Sequence, residues 1–149
     1  MSESKHSQEL IDMFNKALED EHQAYIQYLS HAEIIDGLNS EPIIARIKEI
    51  AEDEEKHQEI FRDLIGNYLG GVPSMGISPT TKAKTIEEIL KVNLAAEKAA
   101  VDFYTKIMEK IKEEKENLPY EFWKLEHDVR HVIMDEQEHI AELRQLLGE

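Results

Sequence analysis

Apolar residues recur at alternating steps of three and four in four long segments, the spacing of helices that bury one face. No segment shows sustained period-two alternation, so the pattern predicts an all-α fold without strands. In chain order, the seams are Ile11, Phe14, Leu18, Glu21, Tyr25, Tyr28, Ala32, Ile35; Ile43, Ile47, Ile50, Glu54, His57, Phe61, Leu64, Tyr68; Ile86, Leu90, Leu94, Glu97, Val101, Tyr104, Met108, Ile111; and Phe122, Leu125, Val129, Val132, Glu136, His139, Leu143, Leu146. Each seam carries a glutamate near its middle, and the second and fourth add a histidine one turn later.

Glycine, proline and capping residues mark the ends of the predicted helices. Gly37 follows the first seam, Pro42 suits the first turn of the second helix, and Gly148 follows the last seam. Thr85 with Glu88 three residues later forms a capping box that starts the third helix. The predicted helices span roughly residues 8–36, 42–69, 85–117 and 119–147.

The lengths of the connections predict how the helices are arranged. Short links join the first helix to the second and the third to the fourth, which makes each pair antiparallel neighbours. The middle connection, about residues 70–84, is long enough to run the length of a helix. We therefore expect a four-helix bundle of two antiparallel hairpins joined by a long crossover loop. The 149 residues fit a single domain, 1–149.

The polar residues in the seams predict a metal centre inside the bundle. A buried carboxylate costs several kcal/mol unless it is paired or bound to metal, and converging carboxylates also repel one another. Two divalent cations would cancel four carboxylate charges and would accept lone pairs from oxygen and imidazole nitrogen. The candidate ligands are Glu21, Glu54, His57, Glu97, Glu136 and His139.

The Glu-x-x-His motif is weak evidence when taken alone. The chain contains four copies, and those that begin at Glu3 and Glu19 lie off the core seams. The alternative interpretation is a metal-free helical interaction module whose buried polar groups fix the register of the helices. One buried glutamate would fit that alternative. Six potential ligands at one level of the core favour metal.

Further polar residues lie near the predicted centre. Asp53 and Asp135 each precede a seam glutamate, and they are candidates to accept a hydrogen bond from a ligand imidazole across the bundle. Tyr25, Tyr28 and Tyr104 lie one or two turns from seam glutamates, where they would either pack in the core or hydrogen-bond a ligand. His127 and His131 form an i, i+4 pair that we interpret as surface histidines.

The composition restricts the classes of function. There are 17 Lys+Arg against 32 Asp+Glu, a net charge of −15, which argues against nucleic-acid binding. The absence of cysteine excludes disulfides and thiolate sites. No apolar run approaches the length of a membrane span, and the polar N-terminus does not resemble a signal peptide. We expect a cytoplasmic protein that does not insert into membranes.

As a set, these motifs resemble the bacterioferritin branch of the ferritin-like superfamily. They are NKALEDE at 15–21, QY at 27–28, DEEKH at 53–57 and DEQEH at 135–139. The ligand set also matches the general description of ferritin-like di-iron and di-manganese proteins. The resemblance implies that Glu54 and Glu136 bridge two iron ions, that Glu21 with His57 completes one site, and that Glu97 with His139 completes the other. Tyr28 matches a tyrosine near the iron site of the family.

The function implied by this resemblance is ferroxidase activity with iron storage and detoxification. Fe(II) would be oxidised by dioxygen or hydrogen peroxide at a centre that binds two iron ions per subunit. Manganese and zinc accept the same types of ligand, so they could occupy the centre in a crystal.

Three departures from the family pattern change the details. Glu55 stands where bacterioferritins carry the methionine that binds haem, so we predict no haem. The chain stops ten residues after His139, without the short fifth helix that helps to close a 24-subunit shell, so we expect a homo-oligomer that is a dodecameric cage or a dimer. Ala100 stands where rubrerythrins usually place a further carboxylate, which leaves rubrerythrin-like peroxide reduction as the second hypothesis.

Overall fold

The computed structural model describes residues 7–149, and these form four long helices with no strand. The helices are α1 (Gln8–Ala32), α2 (Ser40–Asp63), α3 (Ile86–Glu113) and α4 (Phe122–Leu147). A π-helical turn, Leu64–Tyr68, extends α2, and a 3₁₀ turn, Lys115–Asn117, follows α3. The all-α prediction is therefore confirmed.

The start of α3 and the end of α4 follow the local signals, whereas α1 and α3 end earlier than predicted, α3 at Glu113 instead of 117, and α4 begins at Phe122 instead of 119. The Thr85 hydroxyl accepts a hydrogen bond from the amide of Glu88, which is the predicted cap of α3. Gly148 ends α4 with a left-handed φ of 81°. The prediction that the first helix continues to residue 36 is wrong, because α1 ends at Ala32 and the following turn contains two left-handed residues, Gly37 and Asn39. Ile35 is still buried, but from the loop.

The core consists of two apolar clusters separated along the bundle. One includes Phe14 and Phe61, whose ring centroids are 5.8 Å apart. The other includes Ile47 and Leu90. Contacts between α1 and α2 and between α3 and α4 dominate, in agreement with the predicted hairpins. The middle of each seam, with its glutamate, lies between the two clusters.

The crossover loop lies along α1. The Ser78 amide donates to the Glu19 carbonyl, and the Asn15 side chain hydrogen-bonds the backbone of Val72 and of Ser74. At the start of the loop, a Cβ on Gly71 would lie 2.8 Å from a methyl group of Ile11, so glycine permits this close approach. Within residues 7–149, no helix combines the length and the hydropathy that crossing a bilayer requires.

Candidate metal centre

The six residues predicted as ligands come together in the middle of the bundle. Each of the four helices contributes a glutamate, and α2 and α4 add a histidine. Ligand atoms lie within 4.8 Å of one another in two groups, Glu21–Glu54–His57–Glu136 and Glu54–Glu97–Glu136–His139. All six side chains are 1–2% exposed. Two residues, Glu54 and Glu136, are common to both groups.

The distances around the two imidazoles show how these groups are shared. His57 Nδ1 lies 3.1 Å from Glu54, 3.5 Å from Glu136 and 3.5 Å from Glu21. His139 Nδ1 lies 3.1 Å from Glu136, 3.1 Å from Glu97 and 3.6 Å from Glu54. Each imidazole nitrogen therefore faces three carboxylate oxygens at similar distances. This arrangement suits ligands that converge on a shared ion better than it suits a single directed hydrogen bond.

Four buried atoms in the cluster have no hydrogen-bond partner. They are Glu21 Oε1, Glu54 Oε1, His57 Nδ1 and Glu136 Oε1. An unsatisfied buried polar atom costs about 1–3 kcal/mol, so four of them at one point require compensation. Carboxylate oxygen and imidazole nitrogen are ligand types that bind iron, manganese and zinc. The residues present therefore fit a pair of divalent metal ions.

Two aspartates orient the histidines from outside the cluster. His57 Nε2 donates to Asp135 Oδ2 at 2.9 Å, and His139 Nε2 donates to Asp53 Oδ2 at 2.9 Å. Each aspartate thus fixes the histidine of the opposite helix, with Nδ1 facing the centre. The prediction that these aspartates accept the imidazole N–H groups is confirmed.

Two tyrosines hold the remaining glutamates in the same reciprocal way. The Tyr28 hydroxyl on α1 donates to Glu97 on α3 at 2.7 Å, and the Tyr104 hydroxyl on α3 donates to Glu21 on α1 at 2.6 Å. Both tyrosines are buried. Tyr25, the third candidate, is only partly buried, and the neighbouring Glu55 carboxylate raises the pKa of its hydroxyl. It therefore belongs to the edge of the seam.

The cluster retains protons near neutral pH because its carboxylates are buried close together. Burial, followed by the charges of Glu21 and Glu97, raises the pKa of Glu54 to about 8. Burial also raises the pKa of Glu136 well above its usual range. Burial opposes protonation of His139, but hydrogen bonding to Glu97 and the nearby carboxylate charges raise its pKa to about 10. Metal binding must therefore displace protons.

A cavity of about 180 Å³ leads to the cluster between α1 and α3. Its walls combine small side chains, among them Ala24 and Ala100, with the amides of Gln27 and Asn93. Glu54 and other glutamates of the cluster line its inner end. Its size is suited to water, metal ions and small oxidants.

Comparison with known proteins identifies the family of the chain. The family described as Ferritin, Ferritin-like domain, matches residues 11–149. The chain belongs to the ferritin-like family. No curated protein sequence matches it.

Several solved structures are similar to this ferritin-like chain. A ferritin-like di-iron-carboxylate protein of Bacillus anthracis is 27% identical with a TM-score of 0.83, over 93% of this chain and 95% of that one. A dodecameric thioferritin related to bacterioferritin, from Bacteroides fragilis, is 25% identical with a TM-score of 0.79, over 94% and 84%. The bacterioferritin of Mycobacterium tuberculosis, at 22% identity and a TM-score of 0.85 over 97% and 86%, supports the fold alone.

The other histidines within residues 7–149 do not belong to the cluster. His127 and His131 are exposed on α4 with ring centroids 5.6 Å apart. The copy of Glu-x-x-His at Glu19 faces the crossover loop, where His22 contacts the Gly76 carbonyl. The copy at Glu3 lies outside the described residues. No role was predicted for His31, which lies in a buried network with Gln27 and Asn93. The only sign of this network in the sequence is that two residues with side-chain amides, Gln27 and Asn93, stand next to apolar seam positions.

Changing Asp53 and Asp135 to asparagine should weaken metal binding by about 10–100-fold, because each substitution removes a carboxylate that orients the imidazole of a candidate ligand. Anaerobic competition titration with Co²⁺ or Mn²⁺ would measure the affinity. Asp102→Asn, at an exposed position on α3, is the matched control. Unchanged affinity in the double variant would contradict the assigned role of the two aspartates.

Proposed function

We propose that this ferritin-like protein oxidises Fe(II) at a centre within each subunit and stores the ferric product. The observation that supports this proposal best is the pair of four-residue groups that share Glu54 and Glu136. In this assignment Glu54 and Glu136 would be ligands common to both metal ions. Glu21 with His57 and Glu97 with His139 complete the two sites.

The chemistry divides between the metal and the chain. The iron ions supply electrons to dioxygen or hydrogen peroxide. The four glutamates compensate the metal charge, and the aspartate–histidine pairs keep both imidazoles in the tautomer whose Nδ1 faces the metal. Tyr104 and Tyr28 fix the positions of Glu21 and Glu97. The burial of both tyrosines and of the six candidate ligands limits contact with bulk water and therefore side reactions.

The proposed assembly is a homo-oligomeric cage in the cytoplasm. The Bacteroides fragilis relative is a dodecamer, and storage requires an enclosed volume that one helical bundle does not provide. The acidic composition, with a net charge of −15, would raise the local concentration of cations at the protein surface. We propose neither a nucleic-acid partner nor a membrane partner for this protein.

Iron loading combined with a measurement of mass tests the function. The protein is loaded with Fe(II) anaerobically and exposed to air, and size-exclusion light scattering is recorded before and after. We expect a particle of about twelve subunits that retains many more than two irons per subunit in soluble form. Bovine serum albumin loaded in the same way provides the control for non-specific hydrolysis of iron.

A second function is distinguished by the same experiment. Rubrerythrin-like peroxide reduction predicts a small oligomer that oxidises about two irons per subunit and then requires an electron donor. Ala100 lines the cavity without adding a carboxylate, which favours the ferroxidase. A dimer that stops after oxidising about two irons per subunit would support a di-metal enzyme that does not store iron.

A further inference from the structure

A buried polar network that includes none of the six candidate metal ligands joins the crossover loop to α1 and α3. The side-chain oxygen of Gln27 accepts from the Thr81 amide at 2.7 Å, and its Nε2 donates to Asn93 Oδ1 at 3.0 Å. Asn93 Nδ2 donates to the Ile89 carbonyl at 2.8 Å and lies 3.0 Å from His31 Nδ1. His31 Nε2 lies 3.0 Å from the Thr81 carbonyl. The network therefore closes on both backbone groups of Thr81.

The directions of these bonds allow one protonation state of His31. The Thr81 carbonyl can only accept, so His31 must carry its proton on Nε2. The side-chain nitrogen of Asn93, which also donates to the Ile89 carbonyl, can only donate, so His31 Nδ1 must be unprotonated. A second proton, on Nδ1, would face the N–H of Asn93 and leave two donors opposed in a buried site. Protonation is therefore incompatible with the closed network.

We propose that His31, Asn93 and Gln27 form a latch that holds the crossover loop at Thr81 and that opens when His31 gains a proton. The latch is a regulatory device separate from the metal ligands, and it does not depend on the identity of the metal. Gln27 and Asn93 also line the cavity between α1 and α3. Opening the latch therefore loosens the wall of that cavity together with the loop.

Charged groups around His31 do not compensate for its protonation. Directly after the end of α1, the exposed Glu33 lies 3.6 Å from Lys48 of α2. The crossover contributes the exposed cations Lys82 and Lys84, and in the first turn of α3 Glu87 pairs with Lys91 at 2.8 Å while Glu88 is exposed. Burial lowers the pKa of His31, and the hydrogen bond to Thr81 opposes that shift only in part.

The sign of the pH dependence follows from the lowered pKa. The closed latch binds the proton more weakly than the open form, whose histidine titrates near 6.5. The stabilisation is therefore complete above pH 6.5 and is lost as the pH falls below that value. Since one proton is taken up on opening, the population of the open form should rise roughly three- to tenfold between pH 7.5 and 5.5.

Hydrogen exchange of the full-length protein, followed by mass spectrometry, tests the latch. After correction for intrinsic rates, protection of residues 80–84 should fall roughly three- to tenfold between pH 7.5 and 5.5. In His31→Gln, which cannot titrate, protection of this segment should not change with pH. Unchanged protection in the wild-type protein, or an equal loss in the variant, would overturn the proposal.

Two further variants separate the latch from other causes. His22 contacts the Gly76 carbonyl at 2.7 Å, so His22→Gln controls for a second histidine on the same loop. If His22→Gln abolishes the pH dependence at residues 80–84, the latch is not His31. Should His31→Gln fail to fold, Asn93→Asp places an acceptor opposite Nδ1. In that variant protection should rise as the pH falls, and a fall would contradict the proposal.

Discussion

Replacing Glu54 and Glu136 together by alanine should abolish fast Fe(II) oxidation. Both residues belong to both ligand groups, so the double change removes two ligands from each proposed metal site. We expect the initial rate to fall by at least about 100-fold. Removing only a residue that hydrogen-bonds a metal ligand costs up to about 100-fold, and here the ligands themselves are removed. Stopped-flow absorbance after mixing the anaerobic Fe(II)-loaded protein with dioxygen would measure that rate.

The neighbouring exposed glutamates provide the matched control. Glu55 follows Glu54 on α2, Glu138 lies two residues beyond Glu136 on α4, and both are exposed. Glu55→Ala with Glu138→Ala removes the same number of carboxylates without reaching the cluster, so its rate should stay within about twofold of wild type. Fast oxidation in the Glu54→Ala/Glu136→Ala variant would show that the site assignment is wrong.

The helical periodicity explains why the centre was predictable from the sequence. In an amphipathic helix of known register, residues on the apolar seam must face the core. Glu21, Glu54, Glu97 and Glu136 are the polar exceptions on their seams, and each is buried. The reciprocal aspartates were also predictable, because Asp53 and Asp135 occupy equivalent positions in a repeated motif. The motif Asp-Glu-x-x-His occurs in both halves of the chain, at 53–57 and at 135–139.

Other features depend on contacts that periodicity does not encode. The seam pattern treats Tyr25 and Tyr28 alike, but of the two only Tyr28 donates to a glutamate of the buried cluster, because a three-or-four step rule leaves the register uncertain by one residue. The early end of α1 depends on left-handed backbone at Gly37 and Asn39. The latch at His31 depends on where an irregular loop places the backbone of Thr81. Such long-range pairings appear only in the folded chain.

Bound metal should stabilise the native fold. Without metal, the buried carboxylates of the candidate centre should destabilise it. A ligand present at 100 times its Kd and bound only by the folded state adds about 2.7 kcal/mol. For a chain of this size, that energy corresponds to a rise in Tm of about 5–11 °C. Differential scanning calorimetry with Mn²⁺, and with chelator, would measure the shift without oxidation of the metal.

The variant Glu54→Gln/Glu136→Gln should be more stable than the wild-type protein when no metal is present. It removes two carboxyl groups whose raised pKa values make the folded chain take up protons near neutral pH, which costs stability. It leaves His57 beside Glu21 at 3.5 Å and His139 beside Glu97 at 3.1 Å, so two balanced pairs remain. In chelator we expect this variant to be more stable than the wild type by about 1–3 kcal/mol, and to gain little from metal. Glu55→Gln/Glu138→Gln should behave as the wild type does. A wild-type Tm that does not respond to metal would instead support a helical interaction module, in which the buried carboxylates serve the register of the bundle.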